Sequence, residues 1–459
     1  MFSKYHLSDD AKIISDSIPG KESLRLLAIQ EKMESNNRSY PRGIPIAFDS
    51  AKGAIIKDAD SNLYIDFLSG CGVFNLGHNN SDIVKDLEGF QGKIMQAVDF
   101  PTKTREDFVI NLLDLLPKSL KGKCKINFGG PTGSDAVEAA LKLARINTGR
   151  HTVIAFHGGY HGMTMGALSV TSKLSHREKT PPLIPGVHFM PFCSSYRCPF
   201  NKSKENCEEE CLRYFEYVLN NPSSGIDKPG AIIIEPVQGE GGTCIPREGW
   251  LEKITNIARK NDILVIFDEV QSGFYRTGKL FSFEHTSAIP DIVVMSKGIG
   301  GIGYPLSLII YNKSLDKWDP GIHIGTFRGN QIGMAAGISA MKFVKETKLE
   351  LHIEKLGEEM LNELMEIKKE FKHIGDIRGI GMMFGIEYVT DRKTKKPFPE
   401  MAGNVRKKCY ENGLLVEVGG HYNNVIRFLP PLILTSKIAS NGLAIFRTAN
   451  KLAESQINF

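Results

Sequence analysis

The sequence predicts an α/β fold built on a mostly parallel sheet flanked by helices, and three observations carry that expectation. Seven short apolar runs, each bounded by turn residues, recur through the middle of the chain. Helical patterns lie between several of them. The two ends of the chain read differently, as mixed helices and short strands separated by glycines. A strand buried on both faces reads as an unbroken apolar run, as in a parallel sheet covered by helices.

The 459 residues hold 57 Lys plus Arg against 52 Asp plus Glu, and are 41% hydrophobic and 24% charged. That is ordinary globular usage, with length for two or three domains at roughly 150 residues each. Before about residue 80, a helix is expected over 23–35, with hairpin-like pieces around Gly53 and Asp60. The seven apolar runs are 125–128, 153–156, 187–190, 232–234, 263–267, 292–295 and 306–311. Between them, residues 135–146 carry Ala136, Ala139, Ala140, Leu143 and Ala144 at helical spacing, with Gly149 placed to cap the C-terminus. Residues 250–259 behave similarly. After about 335, long helices over 333–347 and 349–371 precede short strands separated by Gly375, Gly379, Gly381 and Gly385. The expected organisation is an N-terminal segment (1–80) contributing to a small α+β domain, a large domain (81–335), and a C-terminal small domain (336–459).

Composition also excludes function classes. The net charge of +5 is spread thinly, and the one dense basic run, 393–396, is broken by Thr394 and closed by Pro397, so no nucleic-acid partner is expected. No apolar run approaches the roughly 18 residues that span a bilayer, and Met1–Asp10 lacks an apolar secretory core. No membrane partner is expected, and a cytoplasmic location is. Eight cysteines are too sparse for a disulfide framework.

The first chemical signal is Asn127-Phe-Gly-Gly-Pro-Thr-Gly-Ser-Asp135, where a strand runs through glycines into a helix. Unpaired first-turn amides and the positive end of the helix dipole make an anion cradle. No Gly-Lys-Ser/Thr comes next, so a nucleoside triphosphate is disfavoured. A plain strand-to-helix turn with Thr132 as N-cap and Asp135 three residues on would leave the same trace. A second pattern, Gly298-Ile-Gly-Gly-Ile-Gly303, matches the dinucleotide fingerprint in spacing, but Tyr304-Pro305 and the apolar run to Tyr311 read as turn and strand where that fingerprint needs a helix. Its neighbour Lys297 sits just past a buried strand, where desolvation would favour the neutral, nucleophilic amine. A lone strand-end lysine is otherwise a solvent-facing group. The third signal is Ile263–Gln271, an apolar strand ending in Asp268 and Glu269, at the position where open α/β sheets bind ligands. A metal-binding acid pair and a solvated strand end remain alternatives there. Together the three match what pyridoxal phosphate needs: a phosphate anchor, an amine, and a carboxylate for the ring nitrogen.

With these three signals in one chain, the sequence resembles a class III (omega-amino-acid type) pyridoxal-phosphate-dependent aminotransferase of fold type I. The matching stretches are Gly129–Ala140, His157-Gly-Gly-Tyr-His-Gly-Met-Thr164, Glu235-Pro-Val-Gln-Gly-Glu240, Asp268-Glu-Val-Gln-Ser-Gly273, Ser296-Lys297-Gly298, Gly325-Thr-Phe-Arg-Gly-Asn330 and Ile426-Arg-Phe-Leu-Pro-Pro431. Within the class, Gly130–Gly133, Tyr196-Arg-Cys-Pro-Phe200 and Thr326–Gln331 are most similar to enzymes that exchange an amine between diaminobutyrate and 2-oxoglutarate. The resemblance implies that Lys297 is the Schiff-base lysine and proton shuttle, with ping-pong kinetics. It implies Asp268 for the pyridinium nitrogen, Gln271 for the ring hydroxyl, Gly133 and Ser134 for the phosphate, and Thr326 donated across a homodimer or dimer of dimers. Tyr160 would stack on the ring, although a core aromatic would look alike. His161 would shape the pocket and Glu235 would join its polar shell. Glu240 and Arg427 would form an acid and arginine switch that admits both a terminal amine and a dicarboxylate, and Tyr40 and residues 71–74 would wall the substrate pocket. Other donors (ornithine, 4-aminobutyrate, diamines) and a racemase or epimerase of the same fold are the alternatives.

Cys193, Cys198, Cys207 and Cys211 are spaced C-x4-C-x8-C-x3-C. This only approximates two tight pairs separated by a longer interval, so free or redox-labile thiols, and no metal, are expected. His78, His157 and His161 have no metal spacing.

Overall fold

The computed structural model describes residues 2–201 and 207–456. The chain divides into two compact units, one of residues Lys85–Glu350 and one of Met1–Val84 with Leu351–Phe459.

The larger unit is built on one seven-stranded sheet: β1 (Cys124–Phe128), β2 (Val153–Phe156), β3 (Val187–Met190), β4 (Ala231–Ile234), β5 (Leu264–Asp268), β6 (Ile292–Met295) and β7 (Leu308–Asn312). Each strand falls on one of the seven apolar runs. The spatial order is β1-β7-β6-β5-β4-β2-β3. From β6 to β3 every neighbouring pair is parallel. Strand β7 is antiparallel to both β6 and β1. Two reversals restore direction, so β1 points the same way as the parallel set. Six C-terminal strand ends therefore share one edge of the sheet.

Four helices of this unit matter below: α1 (Gly133–Thr148), α2 (Cys207–Asn220), α3 (Trp250–Lys260) and α4 (Gln331–Thr347). Ala136, Ala139, Ala140, Leu143 and Ala144 of α1 bury against Ile233, Ile266, Val294 and Ile309 of the sheet. Alanine on that face lets the helix axis approach closely, and each large aliphatic side chain buried there contributes about 1.5–3 kcal/mol. Gly149 ends α1 in the left-handed conformation (φ 64°), its N–H bonding the Arg145 carbonyl at 2.8 Å. At the other end, the Asp135 carboxylate accepts from the Thr132 N–H at 3.2 Å and its hydroxyl at 3.0 Å.

The unit runs on to Glu350, so residues 336–350 do not open a C-terminal domain as the sequence suggested. Helix α4 is held within the larger unit by Thr102 Oγ1 donating to Gln331 Oε1 at 2.8 Å and Ser339 Oγ to Asp86 Oδ2 at 2.6 Å. Its buried face (Met334, Ala336, Phe343, Val344) is as apolar as a core helix requires.

The smaller unit holds two four-stranded sheets. Phe48–Lys52, Ile55–Asp58 and Leu63–Asp66 form an antiparallel meander. Leu414–Leu415 joins it parallel to Leu63–Asp66, so segments from both ends of the chain share one sheet. The second sheet is antiparallel throughout, in the order Ile374–Ile380, Met383–Tyr388, Val425–Phe428, Glu417–Gly419. Among the described residues no helix is long and apolar enough to cross a membrane.

Candidate active site

Asp268 is the last residue of β5, and Lys297 comes two positions after the last residue of the neighbouring parallel strand β6. Asp268 pairs in register with Val294, so both functional groups leave the same sheet edge from adjacent strands. Lys297 starts a 3-10 turn (Lys297–Gly300) with φ 50°, a left-handed conformation that a lysine does not adopt without constraint. No long helix continues from the 298–303 glycines, which removes the dinucleotide reading.

Asp268 is 3% exposed. Its Oδ1 accepts from the Val270 N–H at 3.0 Å, and its Oδ2 lies 2.7 Å from Nδ1 of buried His161. A carboxylate only accepts, so the His161 ring N–H donates to it. His161 comes from the loop after β2, and its own N–H donates to Thr171 Oγ1 at 2.9 Å. Sequence reasoning placed His161 in the pocket without a partner. Its pairing across 107 positions has no local signature.

Glu235 succeeds β4 on the same edge and is buried. It accepts from the Tyr160 and Gly239 backbone N–H groups, both at 2.8 Å. Burial outweighs these bonds and the attraction of His161, and pushes its carboxyl up to about 7. The Tyr160 ring meets His176 edge to face at 5.9 Å. Asp268's neighbour Glu269 points elsewhere, as alternate residues along a strand must. It accepts from Ser272 Oγ (2.6 Å), Ser282 Oγ (2.8 Å) and the Phe283 N–H (2.9 Å), and burial raises it to about 7.

The glycine turn after β1 closes this group of residues. A Cβ at Gly133 would lie 2.9 Å from Val270 Cγ1 and 3.5 Å from Ser296 Cβ, so the first turn of α1 presses against the residues beside Asp268 and Lys297. Ser134 Oγ accepts from the Met163 N–H at 3.2 Å, joining that turn to the His161 loop. At Gly162 (φ 124°), a Cβ would overlap Ser134 Oγ. Gly239 is similarly confined, because a Cβ there would overlap Gln271 Oε1. The backbone thus comes close where only glycine fits, and the Gly133 and Ser134 amides stand in the helix's first turn, where no preceding turn can accept them. A buried carboxylate, a strand-end amine and this cradle are the donor set that pyridoxal phosphate requires.

The other expected residues lie elsewhere in the larger unit and in the smaller one. Glu240 is half-buried, with Lys173 Nζ 3.5 Å from its Oε1, a partner that nothing in the sequence announced. Thr326 is exposed, and its carbonyl accepts from the Gln96 side chain. In the smaller unit, Arg427 is buried on Val425–Phe428, between Gly385 and Glu417 in register. Tyr40 Oη lies 3.2 Å from Cys71 Sγ, and Cys71 is itself strained at φ 60°.

A strand-end lysine and aspartate beside a glycine-walled helix start define an enzyme of the pyridoxal-type transferase architecture. The family model for class III aminotransferases matches residues 37–449, and the chain belongs to that family. The diaminobutyrate–2-oxoglutarate aminotransferase of Haemophilus influenzae is 42% identical over 408 residues, covering 87% of this chain and 89% of its own length. The enzyme of the same name from Rhizobium meliloti is 40% identical over 88% of each chain. An amine transaminase from an uncultivated Pseudomonas species, solved in its PLP-bound form, superposes with a TM-score of 0.82 at 25% identity, over 93% of this chain and 98% of that one. The fold is fold type I, and the protein is an aminotransferase.

Proposed function

We propose that this enzyme transfers the terminal amine of L-2,4-diaminobutyrate to 2-oxoglutarate, giving aspartate 4-semialdehyde and glutamate with pyridoxal phosphate as cofactor. The observation that carries the site is the pairing of strand ends β5 and β6, which sets Asp268 and Lys297 side by side on one sheet edge. Identities of 40–42% to enzymes named for this donor and acceptor support the substrates. When bound, the cofactor supplies an electron sink for charge developing at the carbon that bears the amine.

The chain's own residues do the rest. The first turn of α1, through Gly133, Ser134 and the Ser134 hydroxyl, holds the phosphate. Asp268, oriented by His161, holds a proton on the ring nitrogen, because a buried carboxylate stabilises the positive charge there. Gln271 would bond the ring hydroxyl and Tyr160 would cover a ring face. Lys297 would hold the cofactor through its Nζ, and its amine would serve as the proton carrier at the reacting carbon. Arg427 would receive the acceptor's carboxylate through paired N–H donors. Thr326 belongs to a loop where Ile322, Ile324 and Phe327 stand exposed, and Gln96 bonds that loop from a segment exposing Ile94, Met95 and Phe100. An apolar surface of this kind supports a homodimer, with Thr326 offered to the second copy's phosphate site.

A donor screen tests the reading. With 2-oxoglutarate as acceptor, glutamate formation should be fastest with diaminobutyrate, slower with ornithine and 4-aminobutyrate. A faster rate with either of those would move the assignment to that donor. Racemisation of an amino acid without glutamate formation would replace it altogether.

A further inference from the structure

The aminotransferase motifs leave four clustered cysteines without a role. Cys193 lies in the loop after β3, the edge strand of the large sheet. Cys207 and Cys211 are the first and fifth residues of α2, one helical turn apart and hence on one face. The sulfurs of Cys193, Cys207 and Cys211 all lie within 4.8 Å of one another, and all three residues are buried. Cys198, half-buried on the same loop, brings its thiol into hydrogen-bond range of Cys207. The chain's other four cysteines, Cys71, Cys124, Cys244 and Cys409, join no such group among the described residues.

We propose that Cys193, Cys198, Cys207 and Cys211 form a structural zinc site. A tetrahedral ion with Zn–S bonds of about 2.3 Å puts its sulfurs roughly 3.8 Å apart, so the three clustered atoms need to close in by only about 1 Å. The spacing divides into C-x4-C from the loop and C-x3-C from the helix, each within the range of paired zinc ligands. The Arg247 backbone N–H donates to Cys193. Buried Glu208 beside Cys207 is already met by Lys253 at 2.6 Å and Arg247 at 3.6 Å, so it adds no uncompensated negative charge. Four protein thiolates leave no open position for water, so the ion would be structural and would fasten the loop after β3 to α2. On binding, four S–H protons pass to solvent and zinc keeps its oxidation state, so no oxidant enters the balance.

The test uses the full chain, purified without chelator from zinc-supplemented cells. Elemental analysis should find one zinc per chain, and exchange with Co2+ should give the intense sulfur-to-metal absorption and visible bands of a tetrahedral thiolate site. Cys211→Ser should lose both, and Cys198→Ser should retain a weakened site that gives up its metal to a chelator faster than the parent does. Because the Co2+ spectrum is read on the unmutated chain, a variant that fails to fold leaves the proposal open to refutation. Metal-free protein whose four thiols all react with a thiol reagent would overturn it. So would a 2 Da mass deficit marking a disulfide among these residues, or bound zinc indifferent to both substitutions. None of these outcomes depends on aminotransferase activity, so failure here and failure of the donor screen are separable.

Discussion

Gly162→Ala isolates what the phosphate cradle demands of its backbone. Gly162 sits at φ 124°, a region closed to residues with a Cβ, and alanine there costs about 1–3 kcal/mol in backbone strain alone. Its Cβ would overlap Ser134 Oγ, and would also lie 2.8 Å from Ser134 Cβ and 3.1 Å from Ser134 Cα. Turning the serine rotamer moves only the Oγ, so the clash with Cβ and Cα must be met by shifting the first turn of α1 or the His161 loop. Overpacking of this kind costs about 1–3 kcal/mol more. The sum is about 2–6 kcal/mol. Gly122→Ala supplies the control, because Gly122 is also left-handed (φ 73°) but a Cβ there meets nothing within 4 Å. It should lose only about 1–2 kcal/mol. Urea unfolding of both variants should separate them by the overpacking term of about 1–3 kcal/mol, and Gly162→Ala alone should release pyridoxal phosphate on dialysis, each 1.4 kcal/mol lost being about tenfold in affinity. If the two variants unfold together and hold the cofactor equally, the close approach of backbone to Ser134 plays no part in the cradle.

Other perturbations address the remaining groups. Arg427→Ala should slow the 2-oxoglutarate half-reaction by about 2–5 kcal/mol, from tens to thousands of fold, and the donor half-reaction far less. Equal losses in single-turnover measurements of the two halves would remove Arg427 from acceptor recognition. His161→Phe takes the donor from Asp268 and should cost about 1–3 kcal/mol in cofactor retention, whereas His161→Gln should recover part of it; indistinguishable Phe and Gln variants would reduce His161 to packing. Glu269 reads through pH. Its folded value of about 7 stands above the ordinary 4.5, so its contribution to stability is complete below about pH 4.5 and is lost as pH rises through 7. The 2.5-unit rise corresponds to about 3 kcal/mol at 1.36 kcal/mol per unit. In urea unfolding at pH 5 and pH 8, Glu269→Gln should shrink the difference between the two by about that amount, and an unchanged difference would mean that the carboxyl is not strained by burial.

Whether a feature is legible in the chain depends on how far away its causes lie. Five of the seven strands of the large sheet (β2, β4, β5, β6 and β7) were visible as apolar runs because burial on both faces leaves no room for polar alternation. The ends of α1 were visible because a left-handed C-cap requires glycine at 149 and an N-terminal turn favours Thr132 and Asp135. The reversed direction of β7 was not, since strand composition is the same read either way. Nor was the break at Glu350, because α4 is amphipathic whichever unit it packs on, and its partners include Thr102 and Asp86, more than 200 positions away.

The active-site residues divide along the same line. That Asp268 and Lys297 stand at strand ends was legible because a strand end is a local property, and their catalytic roles are proposed. His161 was named for the pocket without its partner and Lys173 was not singled out at all, since their contacts are made across 107 and 67 positions. The four cysteines extend the point. Their spacing looked too loose for a metal when read along the chain, yet α2 brings Cys207 and Cys211 onto one face and the loop after β3 returns Cys193 to meet them. Sequence spacing measures separation in space only while a segment keeps one conformation, and Cys193 lies in a loop whereas Cys207 and Cys211 lie on a helix. Linear distance therefore understated the cluster for the same reason that it hid the partner of Asp268.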